Sequence, residues 1–149
     1  MISTCRAIII WKDKILLHHR DDKSTIPNPD TWTPPGGGIE ENETPSEAIV
    51  RELYEEASFS PRNLKYLGFR LTEVGTKTHF FFSFVEDDEA KLFKKGIEGQ
   101  GVGFFNFQDI MKLKRPKILG RFLRKYKKVF EDSIRTRNLP SPQSLDLRI

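Results

Sequence analysis

Cysteine is almost missing from this chain of 149 residues, which contains only Cys5. A single cysteine cannot form an internal disulfide, and Cys5 stands beside the apolar run AIII, where a small buried side chain fits. The sequence therefore predicts a buried structural thiol without catalytic chemistry.

Long apolar runs are also missing. The run AIII at 7–10 is too short for a signal-peptide core or a membrane span. We therefore expect a cytoplasmic protein with no membrane partner. With 37% hydrophobic residues and no long low-complexity region, one globular domain is expected over 1–137. The segment 138–149 is predicted to be a flexible C-terminal tail.

Histidine shows no metal-site spacing at any of its three positions. His18 and His19 are neighbours in a predicted strand, so their side chains alternate between its faces and at most one can face a substrate. The sequence favours a structural or exposed role for both.

Acidic residues are concentrated in one segment of a chain whose net charge is +4. Residues 40–56 contain seven acids and a single base, Arg51. The basic residues are spread elsewhere, notably on the polar side of a predicted C-terminal helix. We interpret that side as a solvated face, so the sequence does not indicate a nucleic-acid partner.

Apolar periodicity predicts several strands and two main helices. CRAIII and ILLHH are expected to form a hairpin, THFFFSFVE a central strand, and NLKYLGFRLTEV and VGFFN two further strands. One helix is predicted after Pro116, where apolar residues recur at spacings of three and four from Ile118 to Phe130.

The clearest helix signal begins at Thr44. Thr44 can cap, Pro45 suits the first helical position, and Glu47 completes a capping box, so a helix is predicted over 45–57. On this helix Glu52, Glu55 and Glu56 share one face. Like charges at such spacings disfavour a helix by about 0.2–0.5 kcal/mol per pair, so a cation is expected beside them.

Carboxylates without cysteine or histidine ligands are hard oxygen donors. Such donors favour Mg²⁺ or Mn²⁺, and Mg²⁺ usually binds through a few carboxylates together with substrate phosphates. The acidic helix therefore points to phosphate chemistry.

The sequence GGG at 36–38, which we call the glycine run, and the acidic helix predicted over 45–57 together form a longer pattern. From Gly37 the chain shows five residues, Glu43, seven residues and then Arg51-Glu52-Leu53-Tyr54-Glu55-Glu56. This pattern resembles the box of the Nudix hydrolases, with every charged position filled. One position departs, because Ser58 stands where the family has glycine; a left-handed conformation is expected there, at a cost of about 1 kcal/mol.

The resemblance implies a fold and a reaction. The fold class is α/β (α+β), a Nudix-type α/β/α sandwich with a central mixed sheet, the box loop-helix-loop on one side and a C-terminal helix on the other. The reaction is cleavage of a phosphoanhydride in a nucleoside diphosphate linked to another group. The cofactor implied is Mg²⁺, with Mn²⁺ as an alternative.

The resemblance also assigns site residues. The metal ligands implied are Gly36, Glu52, Glu55, Glu56 and Glu98. The catalytic residues implied are Arg51, Glu52, Glu55 and Glu98, with Glu52 the first choice as general base and Glu55 and Glu98 left open. The residues expected at the substrate are Arg20, Gly37, Gly38 and Glu43.

The leaving group is less constrained by the sequence. The stretch FRLTEVGTKTHF lacks the tyrosine or proline typical of diadenosine-polyphosphate and ADP-ribose subgroups. We therefore expect a nucleoside triphosphate pyrophosphohydrolase that releases a monophosphate and pyrophosphate. A nucleotide-sugar or ADP-ribose pyrophosphatase is the alternative, as is a non-catalytic nucleotide- or RNA-binding module on the same fold. A homodimer remains open.

Overall fold

The computed structural model describes residues 2–149, in which a mixed sheet lies between helical layers. The strands are β1 Ile2–Trp11, β2 Lys14–His19, β3 Trp32–Thr33, β4 Gly36–Gly38, β5 Lys65–Leu71, β6 Thr76–Phe84 and β7 Gly101–Phe105. The helices are α1 Pro45–Ala57, α2 Asp87–Ala90, α3 Phe107–Ile110, α4 Lys117–Lys125 and α5 Lys127–Thr136, followed by a 3₁₀ turn at Pro142–Leu145. The expected α/β class is confirmed.

Strand β1 organises the sheet. It pairs in parallel with β6 and antiparallel with β2 and β4. Strand β6 also pairs with β5, so it is an interior strand as predicted, and β2 pairs with β3 and β7. The predicted β1–β2 hairpin is confirmed.

Side chains of β1 alternate between the two faces of the sheet and contribute to two hydrophobic cores. Cys5, Ala7 and Ile9 face α1, and all three are fully buried. Ile8 and Ile10 point to the other side, into a core that includes Phe82 and residues of α4 and α5. Because successive strand residues face opposite sides, one continuous apolar run can fill both layers. Cys5 is buried and free, as predicted.

Helix α1 begins and ends where the sequence predicts. Thr44 accepts a hydrogen bond from the backbone of Glu47, whose carboxylate accepts one from the backbone N–H of Thr44. At the other end Ser58 adopts the expected left-handed conformation, with φ of 63°. The Ser58 hydroxyl donates to the Lys95 carbonyl at 3.0 Å, which gives this serine a local role.

The C-terminal region differs from expectation in two ways. The predicted single helix is divided at Tyr126, whose φ and ψ of −106° and 19° are not helical, although Tyr126 and Phe130 still form i to i−4 hydrogen bonds. The segment expected as a flexible tail is instead packed, with Leu145 and Leu147 buried. Arg148 exchanges two backbone hydrogen bonds with Phe69 of β5, so the chain end lies along the sheet edge.

Across residues 2–149, the helices are all too short or too polar to cross a membrane.

Candidate metal centre

Three carboxylates converge beside the glycine run. Glu52 and Glu56 lie one turn apart on α1, and Glu98 comes from the loop before β7. One oxygen from each lies within 4.8 Å of the others, and the first two side chains are buried. Such a set of hard oxygen donors matches the ligand preference of Mg²⁺.

Burial makes this cluster unfavourable when it is fully ionised. Burial raises the pKa of Glu56 to about 8, and burial raises the pKa of Glu52 against the opposing hydrogen bond from Arg51. Neighbouring like charges act in the same direction, because each carboxylate disfavours ionisation of the next. A divalent cation would relieve both effects, so the donors present fit the metal that the sequence predicts.

Arg51 connects the remaining box carboxylates. Its Nε and Nη2 donate to Glu43 at 2.7 and 3.0 Å, and its Nη1 donates to Glu52 at 3.0 Å and to Glu55 at 3.3 Å. The Arg51 bond holds the pKa of Glu43 at about 2. Nη2 also donates to the carbonyl of Gly38. Both oxygens of Glu43 accept hydrogen bonds from the protein, which makes Glu43 chiefly a partner of Arg51.

Glu55 lies apart from the three-carboxylate set. Its side chain contacts Arg51, and its backbone carbonyl accepts the N–H of Glu98 at 3.0 Å. Nearby, the N–H of Gly96 donates to the carbonyl of Glu56. A Cβ on Gly96 would lie 2.1 Å from the Glu55 carbonyl oxygen, so only glycine allows this approach. The end of α1 thus holds the loop that carries Glu98.

The glycine run fits tightly against the same carboxylates. The N–H of Gly36 donates to Oε1 of Glu56 at 2.9 Å, and Gly36 has φ of 150° with a backbone oxygen of Cys5 where a Cβ would stand. A Cβ on Gly37 would lie 2.7 Å from Oε1 of Glu52. The contact of Gly36 with the cluster is made by its N–H, and its role as a metal ligand, which the resemblance implies, stays a prediction.

His18 lies beneath the cluster. Its Nε2 lies 3.4 Å from the carbonyl oxygen of Glu98, and its Nδ1 lies 3.3 Å from Oε2 of Glu56 without hydrogen-bond geometry. Burial lowers the pKa of His18 to about 4, so the ring is neutral near pH 7 and the contact is not an ion pair. His19 points to the other face and stacks on Trp32 with ring centroids 4.5 Å apart.

A cavity of about 240 Å³ opens onto Glu56 and Glu98. We call it the carboxylate cavity, and its lining comprises His18, Arg20, Asp21, Lys23, Ile26, Glu56, Glu98 and Gly99. The Nε of Arg20 donates a hydrogen bond to the carbonyl of Pro27 at 3.0 Å. The structure thus brings the predicted Arg20 to the carboxylates, where a phosphate would need a cation.

A second cavity of about 170 Å³ lies between the sheet and α4. We call it the arginine cavity, and its lining comprises Arg6, Ile8, Thr33, Pro34, Arg70, Thr72, Thr78, Phe80, Ile118, Leu119 and Phe122. It adjoins the glycine run, because Arg6 pairs with Gly36 in the β1–β4 ladder and its Nη1 donates to the Pro34 carbonyl at 3.1 Å.

Sequence reasoning missed Arg6, His18 and Arg70. Arg6 and Arg70 stand singly in strands among apolar residues, and the sequence carries no spacing that ties either to the box. Only the alternation of His18 and His19 hinted that one of the pair could face the site.

A family model, several curated proteins and many solved structures resemble this chain. The family model described as NUDIX domain matches residues 3–126. An RNA pyrophosphohydrolase of Hydrogenovibrio crunogenus is 49% identical over 39 residues, which are 26% of this chain and 24% of that protein. The chain covers between 20% and 46% of the first curated relatives' lengths.

Two solved structures resemble the fold over most of the chain. The NUDIX domain of Shewanella oneidensis NrtR, solved with ADP ribose, has a TM-score of 0.68 at 18% identity and covers 86% of this chain and 87% of that one. A NUDIX hydrolase from Nitrosomonas europaea has a TM-score of 0.65 at 25% identity, covering 94% and 74%. Both resemblances support the same sandwich architecture.

Proposed function

The chain belongs to the Nudix family, and from that premise we propose that it is a metal-dependent pyrophosphohydrolase of nucleoside triphosphates. Water attacks the phosphoanhydride, and the products are a nucleoside monophosphate and pyrophosphate. The observation that carries this assignment is the convergence of Glu52, Glu56 and Glu98 within 4.8 Å at the edge of a cavity.

The metal would be held by these three carboxylates. When bound, Mg²⁺ or Mn²⁺ supplies charge stabilisation to phosphate oxygens and acidifies bound water. The raised pKa values of Glu52 and Glu56 support this role, because a buried cluster of acids gains most from a cation. Glu55 is the weaker candidate ligand, since its carboxylate contacts Arg51.

Three further side chains would position the carboxylates or contact the substrate. Arg51 fixes Glu52, the preferred general base, by donating to Oε1 at 3.0 Å. Arg20 lines the carboxylate cavity and can contact a phosphate as a fixed cation. Glu43 holds Arg51 in turn through two hydrogen bonds, so it positions the site indirectly.

A second candidate is removal of pyrophosphate from the 5′ end of RNA, which breaks the same type of bond. Two observations favour it. The curated relative matched over 39 residues carries the name RNA pyrophosphohydrolase. A surface cleft of about 450 Å³ is lined by Leu113 and by the cations Lys114, Arg115, Lys117, Arg121 and Arg124, a lining suited to a phosphodiester backbone.

Product analysis tests the proposal directly. Purified protein would be incubated with Mg²⁺ or with EDTA and a panel of nucleoside triphosphates, ADP-ribose, a nucleotide sugar, diadenosine tetraphosphate and 5′-triphosphorylated RNA. We expect Mg²⁺-dependent release of pyrophosphate together with a monophosphate. Folded protein that binds Mg²⁺ yet hydrolyses nothing would favour a non-catalytic nucleotide-binding module instead.

The proposed setting is the cytoplasm, where a reducing environment suits a protein whose cysteine Cys5 is free and buried.

A further inference from the structure

Two guanidinium groups line the arginine cavity without a carboxylate in direct contact, although the charges of Glu56 on Arg6 and of Asp146 on Arg70 act at longer range. Among residues 2–149, no carboxylate oxygen lies within 4.0 Å of a charged nitrogen of Arg6 or Arg70. Taking a cation out of water without an ion-pair partner is costly. Burial correspondingly lowers the pKa of Arg6. Both groups are therefore available to a ligand with acceptor atoms.

The protein nevertheless fixes the orientation of both groups. Arg6 donates from Nη1 to the Pro34 carbonyl at 3.1 Å. Arg70 donates from Nη2 to the Leu145 carbonyl at 2.6 Å and to the Tyr126 hydroxyl at 3.1 Å. A guanidinium has five N–H donors, and these contacts use only one terminal nitrogen of each. The remaining donors are oriented in advance, which reduces the entropy lost when a ligand binds.

The other walls of the cavity are mainly apolar. Ile8, Pro34, Ile118 and Leu119 contribute aliphatic surface. The rings of Phe80 and Phe122 lie parallel within 4°, with centroids 6.0 Å apart, and the Arg70 guanidinium lies over both, 5.9 Å from the Phe80 centroid and 5.3 Å from the Phe122 centroid. The aliphatic walls suit a flat apolar face, and an inorganic phosphate has none. The cavity thus combines surfaces for a planar ring with cationic donors for the edge of that ring.

Guanidinium donors can discriminate among nucleobases. Guanine presents two adjacent acceptors, O6 and N7, which arginine can bind with two parallel hydrogen bonds. Adenine presents an amino donor at the corresponding position, and that donor would face another donor. A buried polar group left unpaired costs binding energy, so a site built for the acceptor edge rejects the donor edge. Uracil offers a single carbonyl at O4 with an N–H donor beside it.

We infer that the arginine cavity holds the base of a 6-oxopurine nucleotide, with Arg6 and Arg70 as the specificity-determining residues that select guanine over adenine. This assignment rests on the proposed function for the position of the phosphates. Arg6 lies opposite Gly36 in the sheet, and the Gly36 N–H holds Glu56, so the Arg6–Gly36 pair links the arginine cavity, on the α4 side of the sheet, to the metal centre on the α1 side.

Base preference is measured in two ways. Calorimetric titration of GMP, AMP and UMP in EDTA reports binding without catalysis. The kcat/KM values for GTP and ATP with Mg²⁺ report turnover. We expect guanine to be favoured by about 10- to 100-fold in both measurements, the range for one bidentate arginine contact. The Arg70→Met variant keeps much of the side-chain stem but loses the donors, so its preference should fall towards 1.

A matched control separates specificity from loss of structure. Arg135→Met removes the same charge from an exposed position, where the Arg135 guanidinium pairs with Asp132, and should leave the GTP to ATP ratio unchanged. Arg6→Met provides a second variant if the C-terminal contacts of Arg70 prove necessary for folding. A structural defect would lower turnover of GTP and ATP equally, and that result would contradict a role in specificity.

Failure of this assignment is distinguishable from failure of the proposed function. Equal binding of GMP and AMP, stronger binding of UMP, or a ratio unchanged in both arginine variants would overturn the guanine assignment while metal-dependent hydrolysis still stands. Absence of hydrolysis for every substrate would overturn the proposed function. In that case a preference for GMP in EDTA would still support the base site.

Discussion

The backbone N–H of Gly36 donates a 2.9 Å hydrogen bond to Oε1 of Glu56, 20 residues further along the chain. This bond joins the glycine run to the acidic helix inside the protein. It is one of the stabilising contacts of Glu56, whose carboxylate is otherwise disfavoured in its ionised form by burial. The position of this carboxylate is therefore set by a backbone that tolerates no side chain.

Replacing Glu56 with glutamine should cut turnover by about 100-fold or more, because a charged ligand for the metal is lost at a centre that stabilises phosphate charge. Folding should be retained, since glutamine keeps the volume and an acceptor for the Gly36 N–H. Initial rates of pyrophosphate release at saturating Mg²⁺ provide the measurement. Glu41→Gln changes an exposed acid at one of the five unspecified positions between Gly37 and Glu43; it is the matched control and should keep full activity. Normal turnover in Glu56→Gln would remove it from the ligand set.

Gly37→Ala should reduce kcat with little loss of stability. The new Cβ would lie 2.7 Å from Oε1 of Glu52, and the flexible end of that side chain can move away. Displacement of a catalytic group by about 1 Å can cost about 100-fold in rate. Gly101→Ala, where nothing lies within 4 Å of the added atom, is the control. Thermal melting and kcat, measured on both variants, would show whether activity falls without a loss of stability. Equal kcat in both variants would argue against the packing of Gly37 on Glu52.

Glu98→Gln should weaken metal binding more than it affects folding. Glu98 is exposed, and it supplies the only one of the three clustered carboxylates that lies outside α1. We expect the Mn²⁺ dissociation constant, measured by the signal of free Mn²⁺ in electron paramagnetic resonance, to rise about 10- to 100-fold. Glu73→Gln changes an exposed acid elsewhere and should bind Mn²⁺ as the unmodified protein does. An unchanged constant in Glu98→Gln would leave the metal to the two helix carboxylates.

Asp146 should make folding stability depend on pH in the acid range. The hydrogen bond from the Tyr126 hydroxyl, 2.6 Å long, lowers the pKa of Asp146 below its usual 3.8, and the charge of Lys125 acts in the same direction. The folded state therefore holds the proton less tightly than the unfolded state does. The stabilising contribution is complete above the unfolded pKa and is lost as the pH falls through the folded pKa.

Urea unfolding of Asp146→Asn and of the unmodified protein between pH 3 and pH 7 measures this contribution. The variant should be less stable by a constant amount near neutral pH, and the two curves should begin to converge as the pH falls below about 4. A stability difference that does not change with pH would show that the carboxylate charge of Asp146 is not involved.

The local features of this molecule were predictable from the sequence alone. The limits of α1, its capping box and the left-handed conformation at Ser58 follow from side-chain chemistry within a few residues. The placement of Glu52 and Glu56 on one face follows from helical periodicity. The hairpin and the interior position of β6 were likewise indicated by their apolar patterns.

Contacts between distant segments were decided only by tertiary structure. Arg70 meets the carbonyl of Leu145 across 75 positions of sequence, and His18 approaches Glu98 across 80. The break at Tyr126 and the packing of the chain end on β5 belong to the same class. Periodicity fixes which face of an element is apolar, but it carries no information about which other segment covers that face. The acidic helix was therefore predictable from the sequence. The arginine cavity was not, because it exists only where the sheet brings Arg6 and Arg70 together.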